Sequence, residues 1–314
     1  MSKALVVIKS MGIGDLCILI SSIHAISKKI TEPVTVLAQK STRAHAILKH
    51  DPHINEVIEL DEKEIKSFFG IIKKIKPKQF DQSYIYSDSI RLYLISKLSG
   101  IKENFHYKFF SKKGKNFFKT AKEFTEKTLN TEIDPQSKIY CNNNDIVESK
   151  KKYSMTNNMK SIVCGVSASG PTKRWDINNY IKLFEYLNSK FQCKFFLAGG
   201  LTDEDLINQV MKSSIGKNCI SFCKMNLSEA MRIIGACQYY IGNDTGWGHI
   251  SSGLNLKSLF LFMDSPPSSY GVYSKNISII IPDGETIESC GHNTRGKNKI
   301  SVDKVLHKSL ELIN

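Results

Sequence analysis

The residues most able to do chemistry lie in four glycine- or hydroxyl-rich stretches, each directly after a short apolar run. The first holds Gly12, Ile13, Gly14 and Asp15. Its carboxylate stands at the start of a helical pattern, where it can take a proton from an attacking hydroxyl or serve only as a first-turn acid that stabilises the helix macrodipole. The second runs from Ser167 through Gly170, Pro171 and Thr172 to Lys173, Arg174 and Trp175. Hydroxyls, a glycine and adjacent cations suit a phosphate cradle, and they equally suit an ordinary exposed basic loop. The third, Ala198, Gly199 and Gly200, reads mainly as a tight turn. The fourth is the richest: Asn243, Asp244, Thr245, Gly246, Trp247, Gly248 and His249. Backbone amides at a helix start, with Thr245 and Gly246, can hold a diphosphate, and Asp244 can accept hydrogen bonds from sugar hydroxyls. His249 can donate to a phosphate, bond the loop backbone, or serve structure alone.

Such loops need a strand before them and a helix after them. Apolar runs at 4–8, 34–38, 57–60 and 82–86 read as strands, and the segments 16–30, 43–49, 68–75 and 90–98 carry helical periodicity. The alternation is that of a parallel sheet covered on both faces. Between 108 and 152 the pattern weakens and lysines accumulate, so the connection between domains is expected toward the end of that stretch. Alternation restarts with a strand at 161–166 and continues to an amphipathic helix at 302–313. The reading is an α/β protein of two Rossmann-like, doubly wound halves. Ligands of such sheets bind beyond the carboxyl ends of the strands, where all four loops fall.

Composition narrows the classes. A chain of 314 residues is comfortable for two domains, and 41% apolar with 24% charged residues is ordinary globular usage. Lys9 and Asp15 interrupt the most apolar N-terminal stretch, which argues against a membrane span or signal peptide. The eight cysteines show no CxxC pairing or zinc-type spacing and read as reduced thiols of a cytoplasmic protein. The first loop departs from the GxGxxG dinucleotide fingerprint, since Cys17 stands where the third glycine belongs and no acid ends the second strand; dehydrogenase chemistry is disfavoured. A formal charge of +14 favours anionic partners: phosphorylated substrate, anionic membrane surface or nucleic acid. The aromatic and basic stretch from Tyr107 to Lys113 is the candidate for the last two. Inward packing of its aromatic residues, or contact with lipid head groups over 107–127, explains it better than RNA binding.

Taken together, these motifs resemble glycosyltransferase family nine, the ADP-heptose:lipopolysaccharide heptosyltransferases and their relatives, over nearly the whole chain. The opening strand with Gly14 and Asp15 is similar to the family's first motif. Phe80, Asp81 and Gln82 leading to Arg91 and Gly100 resemble its mid-domain pattern, Lys173 to Trp175 its Lys-x-Trp element, and Asp244, Thr245, Gly246 and His249 its Asp-Thr-Gly-x-x-His signature. The resemblance implies a GT-B fold, with two Rossmann-like domains facing a central cleft. The N-terminal domain (1–155) would bind acceptor and the C-terminal domain (156–314) the nucleotide sugar, the last helix packing back on the first domain. It implies Asp15 as general base, with Lys173, Asp244, Thr245, Gly246, His249 and Ser167 at the donor and Gly14 and Arg91 at the acceptor. It further implies inversion at the anomeric carbon and no cofactor or bound metal. The partners implied are ADP-heptose or another nucleotide sugar, and an anionic glycan or glycolipid acceptor such as lipopolysaccharide, met in the cytoplasm or peripherally at the inner face of its membrane, with no nucleic acid. A transferase of another nucleotide sugar and a non-catalytic nucleotide-sugar-binding protein are the alternatives. The chain departs from the family at Ser22, where a proline is common, and in the loop over 262–271.

Overall fold

Continuous burial of Ala4–Ile8 marks β1 as a central strand, covered on both faces, which is why its sequence is uniformly apolar rather than alternating. The computed structural model describes residues 2–9, 12–109, 116–296 and 299–314. The chain divides into two units, Met1–Tyr140 and Cys141–Asn314.

The first unit is built on a five-stranded parallel sheet in the order β3-β2-β1-β4-β5, with β2 Val34–Gln39, β3 Ile54–Leu60, β4 Gln82–Tyr86 and β5 Glu103–His106. Helix α1 spans Ile13–Ile30, followed by a short α2 at Ala44–Ile47, α3 at Phe68–Ile75, α4 at Ile90–Leu98 and α5 at Phe117–Leu129. Serine and asparagine start several of these helices as the sequence demands: Ser67, Ser89 and Asn116 each accept a backbone N–H from the first turn. One face of the sheet closes on α3 and α4 through Val7, Ile71, Ile75, Ile85, Leu92 and Ile95. Elsewhere a buried hydroxyl chain, Tyr86 to Thr125 at 2.8 Å and Thr125 to Ser22 at 3.0 Å, ties β4, α5 and α1 together. Ser22, where the family commonly has proline, is therefore occupied by a hydroxyl with a partner.

The second unit carries a six-stranded sheet in the order β11-β10-β9-β6-β7-β8, also parallel throughout. Its strands are β6 Lys160–Gly165, β7 Cys193–Leu197, β8 Cys219–Ser221, β9 Tyr239–Asn243, β10 Lys257–Leu261 and β11 Ile277–Ile280. The helices are α6 Asn143–Lys152, α7 Ile177–Lys190, α8 Glu204–Met211, α9 Leu227–Ala236, α10 Gly246–Gly253, α11 Pro267–Tyr270 and α12 Val302–Ile313. Trp175, Tyr180, Phe184 and Phe195 form the aromatic centre of its core, and α12 packs on the same unit through Val305 and Ile313. Both sheets are doubly wound: strand order reverses between β1 and β4 in one and between β6 and β9 in the other. The eight cysteines are all free thiols. Among the described residues no helix is long and apolar enough to cross a membrane.

Several elements were not visible as periodicity. Strand β5 reads Glu-Asn-Phe-His, a half-buried edge strand with one apolar residue. In α5 the buried stripe is Ala121, Thr125 and Leu129, which a search for large apolar residues passes over. The lysine-rich 142–152 segment, expected as connection, is the helix α6, capped by Asn142 and packed on α9.

Candidate functional site

In the second unit, β6 and β9 lie side by side at the reversal of strand order, so the loops after them diverge and leave a crevice at their carboxyl ends. The strands can end this close because Gly165 faces Gly242: a Cβ at Gly242 would lie 2.4 Å from the Gly165 nitrogen. Asn243, fully buried, clamps the two loops together. Its Oδ1 accepts from the Trp175 N–H (3.1 Å) and the Tyr180 hydroxyl (3.0 Å), and its Nδ2 donates to the carbonyls of Val166 (3.1 Å) and Ser167 (3.2 Å). Trp175 is in turn held by its indole N–H on the Ile300 carbonyl at 2.9 Å.

Next along β9, Asp244 is oriented by two partners. Its Oδ1 lies 3.1 Å from Nε2 of His249, and its Oδ2 accepts from the Ser265 hydroxyl at 2.7 Å. An ionised carboxylate only accepts, so Nε2 of His249 carries the hydrogen, while Nδ1 meets the Tyr273 hydroxyl at 2.9 Å. Burial pushes the Asp244 carboxyl up and is the largest single influence. The hydrogen bond and charge of His249, the Ser265 hydroxyl and the charge of Lys173 together outweigh it and hold the group below the ordinary aspartate value. Both His249 ring nitrogens are thus engaged by side chains of this unit, and the ring itself is 3% exposed. Its geometry shows side-chain bonds to Asp244 and Tyr273, partners that the roles read from the sequence did not name.

A second carboxylate stands nearby. Asp264 accepts from the Thr172 hydroxyl at 2.6 Å and from the Arg295 backbone N–H at 2.9 Å. Burial again pushes it up, and these bonds, the Asn293 backbone and the charge of Lys173 bring it below the usual range. Lys173 acts electrostatically on both carboxylates, yet its ammonium group has no hydrogen-bond partner among the described residues. Arg174 differs: it donates to the Ala168 carbonyl at 3.1 and 3.0 Å and pairs with Asp203 at 3.3 Å, so it fastens its own loop. Ser167 is buried with its hydroxyl on the Ala198 carbonyl at 3.3 Å, whereas Ser169 is the exposed hydroxyl of that loop. Thr245 precedes α10 and Gly246 opens it; the first N–H groups of a helix lack intrahelical acceptors and point outward. Trp247 lies against Phe222, ring centroids 6.0 Å apart. A Cβ on Gly248 would come within 2.6 Å of Phe260, so a glycine is required there for α10 to reach this depth. Sequence reasoning missed Thr172, Asp264, Ser265 and Tyr273 as partners of the site. The unusual 262–271 loop was the signal, since two of them lie in it.

In the first unit the equivalent reversal lies between β1 and β4. Gly14 and Asp15 occupy the first turn of α1, and the Asp15 carboxylate lies 3.2 Å from where a Cβ on Gly12 would be. Ser10 and Met11 of the same loop lie outside the described residues. Arg91, one residue into α4, has a buried guanidinium nitrogen, Nη2, without a hydrogen-bond partner among the described residues. Of the aromatic and basic stretch, residues 110–113 lie outside the described residues. Tyr107 packs edge-on against Tyr86 and Phe124, and Phe109 stacks on His106 at 4.1 Å. Among the described residues no three His, Cys, Asp or Glu side chains are grouped to hold a metal ion.

The comparisons with known proteins bear on this arrangement. The family described as glycosyltransferase family 9 (heptosyltransferase) matches residues 110–299. Lipopolysaccharide heptosyltransferase 1 of Campylobacter coli is 22% identical over 313 residues, covering 91% of each chain. Among solved structures, the Escherichia coli ADP-heptose lps heptosyltransferase II superposes with a TM-score of 0.77 at 17% identity, over 100% of this chain and 98% of that one. The E. coli heptosyltransferase WaaC with ADP gives 0.72 at 14% identity, over 99% of both. Two parallel-sheet α/β units, a loop signature at the strand reversal and a family match over most of the chain converge: this protein is a glycosyltransferase and belongs to glycosyltransferase family 9, the heptosyltransferases.

Proposed function

We propose that the protein moves a heptose-like sugar from a nucleoside diphosphate donor to a lipopolysaccharide or related glycan acceptor, in one inverting displacement that needs no bound metal. The observation that carries the donor half is the Lys173 ammonium, whose charge acts on two ionised, internally held carboxylates and which has no hydrogen-bond partner among the described residues. A diphosphate completes that arrangement: Lys173 and the amides at the start of α10 offset its charge, and Asp244, fixed by His249 and Ser265, accepts from sugar hydroxyls. ADP-heptose is the donor favoured, because the similar E. coli enzymes are described with ADP-heptose and with ADP. Thr245, Gly246 and Ser167 belong to the same grip, Ser167 by shaping its loop.

Asp15 is the proposed base. It takes the proton of the acceptor hydroxyl as that oxygen attacks the anomeric carbon, and the nucleoside diphosphate leaves toward Lys173. Gly14, in the first turn of α1, belongs to the proposed acceptor side, and Arg91 offers an anionic acceptor group its Nη2, which lacks a partner among the described residues. The mechanism requires Asp15 and the donor loop to reach one substrate.

Calorimetric titration with ADP, UDP and GDP, and with their sugars, tests the donor half. The expected result is tightest binding of the adenine series, weakened about tenfold or more in Lys173→Ala through loss of charge-assisted contacts. Failure of every nucleoside diphosphate to bind, or binding indifferent to Lys173, removes the proposal. Turnover that persists undiminished in chelator, after removal of adventitious metal, is the matching expectation for the metal-free step, and loss of turnover restored by one added cation contradicts it.

A further inference from the structure

We propose that the outward face of α4, together with Phe69 on the neighbouring α3, is a docking surface for an anionic lipid bilayer. The inference rests on the reading of the first unit as the acceptor-binding one, and it identifies where the surface bearing a lipid-linked acceptor would lie. Helix α4 is apolar on both sides. Leu92 and Ile95 enter the core, while Ile90, Leu94 and Leu98 recur at every fourth position on the opposite side and are 43%, 41% and 57% exposed. Phe69, on the helix packed beside it, is 79% exposed. A core-facing helix needs only one apolar stripe, so the second one calls for an apolar partner.

The charges around it choose the partner. Lys66, Lys73, Lys97, Lys102 and Lys108 are exposed on α3, α4 and the segments flanking them. Among the acids of this region, Glu64 is paired with Lys74, which leaves exposed Glu62, Asp88 and Glu103, the last bonded among the described residues only by the neutral Gln82 amide, against the five lysines. Exposed aliphatic groups with Lys97 on the same helix and further exposed lysines on the neighbouring segments match the two layers of a membrane surface, acyl chains beneath and anionic head groups around. Nucleic acid would want aromatic platforms, and Phe69 is the sole exposed ring of this patch among the described large hydrophobic residues. The described part of the 107–127 stretch does not compete, since Tyr107 and Phe109 are engaged internally.

Position adds the last argument. Helix α4 starts just beyond the carboxyl end of β4, which pairs in register with β1, Ile8 beside Tyr86. The loop after β1 leads to Asp15. The stripe therefore begins at the end of the sheet where the acceptor hydroxyl is proposed to react and runs about 12 Å along the helix away from it. A lipid-linked acceptor whose sugar reaches Asp15 would have its lipid on that side.

The test is co-sedimentation with phosphatidylethanolamine/phosphatidylglycerol vesicles against pure phosphatidylcholine vesicles, for the wild type and the double variant Leu94→Glu, Leu98→Glu. Both residues are exposed, so thermal melting should match the wild type. Expected is salt-sensitive binding to the anionic vesicles alone, reduced about tenfold or more in the variant, with unchanged turnover on a delipidated, water-soluble acceptor saccharide. Equal binding by both proteins, or absent binding by the wild type, overturns the proposal. So does sedimentation velocity showing a wild-type dimer that the variant dissolves, which would assign the face to a second copy. Vesicle binding that is lost in the variant while neither protein turns over the soluble acceptor upholds the surface and sinks the heptosyl-transfer reading instead.

Discussion

Asn243 commits its entire side-chain amide to the protein, two bonds accepted and two donated, and every partner belongs to the loop after β6 or to the helix that follows it. Replacing it by alanine orphans buried donors and acceptors together, so Asn243→Ala should cost about 3 kcal/mol of stability, read as a shift in urea midpoint with unchanged slope. A cost below the error of the measurement would show that water substitutes for the amide. The carboxylates make a second prediction at this scale. Asp244 and Asp264 both hold their protons less tightly in the folded state than in the unfolded chain. Their stabilisation is therefore fully present above the ordinary aspartate value and lost as pH falls through the lower, native one. In melts taken between about pH 5 and pH 2.5, Asp264→Asn should lose less stability than the wild type as acid is added; parallel curves would contradict the depressed value. The sequence displayed Asp244, His249 and Lys173 because they stand in one recognisable order after strands. It did not display Ser265, Tyr273, Thr172 or Asp264 as their partners, because hydrogen bonds closed by a fold have no local period.

At the scale of elements, the proposed donor site depends on two strands ending side by side. Gly242→Ala would drive a methyl into the backbone of Gly165, which has no flexible atom to move aside. Overpacking of this kind costs about 1–3 kcal/mol. Because the displaced strand ends carry both loops, donor affinity should fall with it, whereas Gly170→Ala, where a Cβ meets open space, should alter neither. The comparison is made by thermal melts with and without ADP, and equal behaviour of the two variants would deny the close approach its role. The buried strands were legible because β1 is apolar throughout and β6 and β9 have apolar centres, and the helices because their apolar residues recur with helical period. Strand β5 and helix α5 were not: an edge strand exposed to water has no reason to be apolar, and a helix face lined by alanine and threonine buries area without announcing it. Helix α6 hid for another cause, its lysines being the solvated side of a helix whose buried face is small.

Across the whole molecule, 44 basic against 30 acidic residues provide a field that favours anionic partners, as the proposed diphosphate donor and acceptor are, and this excess was readable from composition. What composition could not say is which groups act on the substrate. The account rests on a division of labour: the second unit grips the donor, and Asp15 of the first supplies the base. The most direct measurement is a pair made on one protein, donor affinity by calorimetry and transfer rate with ADP-heptose, for wild type and Asp15→Asn. The account predicts donor affinity unchanged within error and a transfer rate lowered by about 10²–10⁴, the usual contribution of a positioned base. Transfer close to the wild-type rate, or a rate loss fully explained by weaker donor binding, would contradict it.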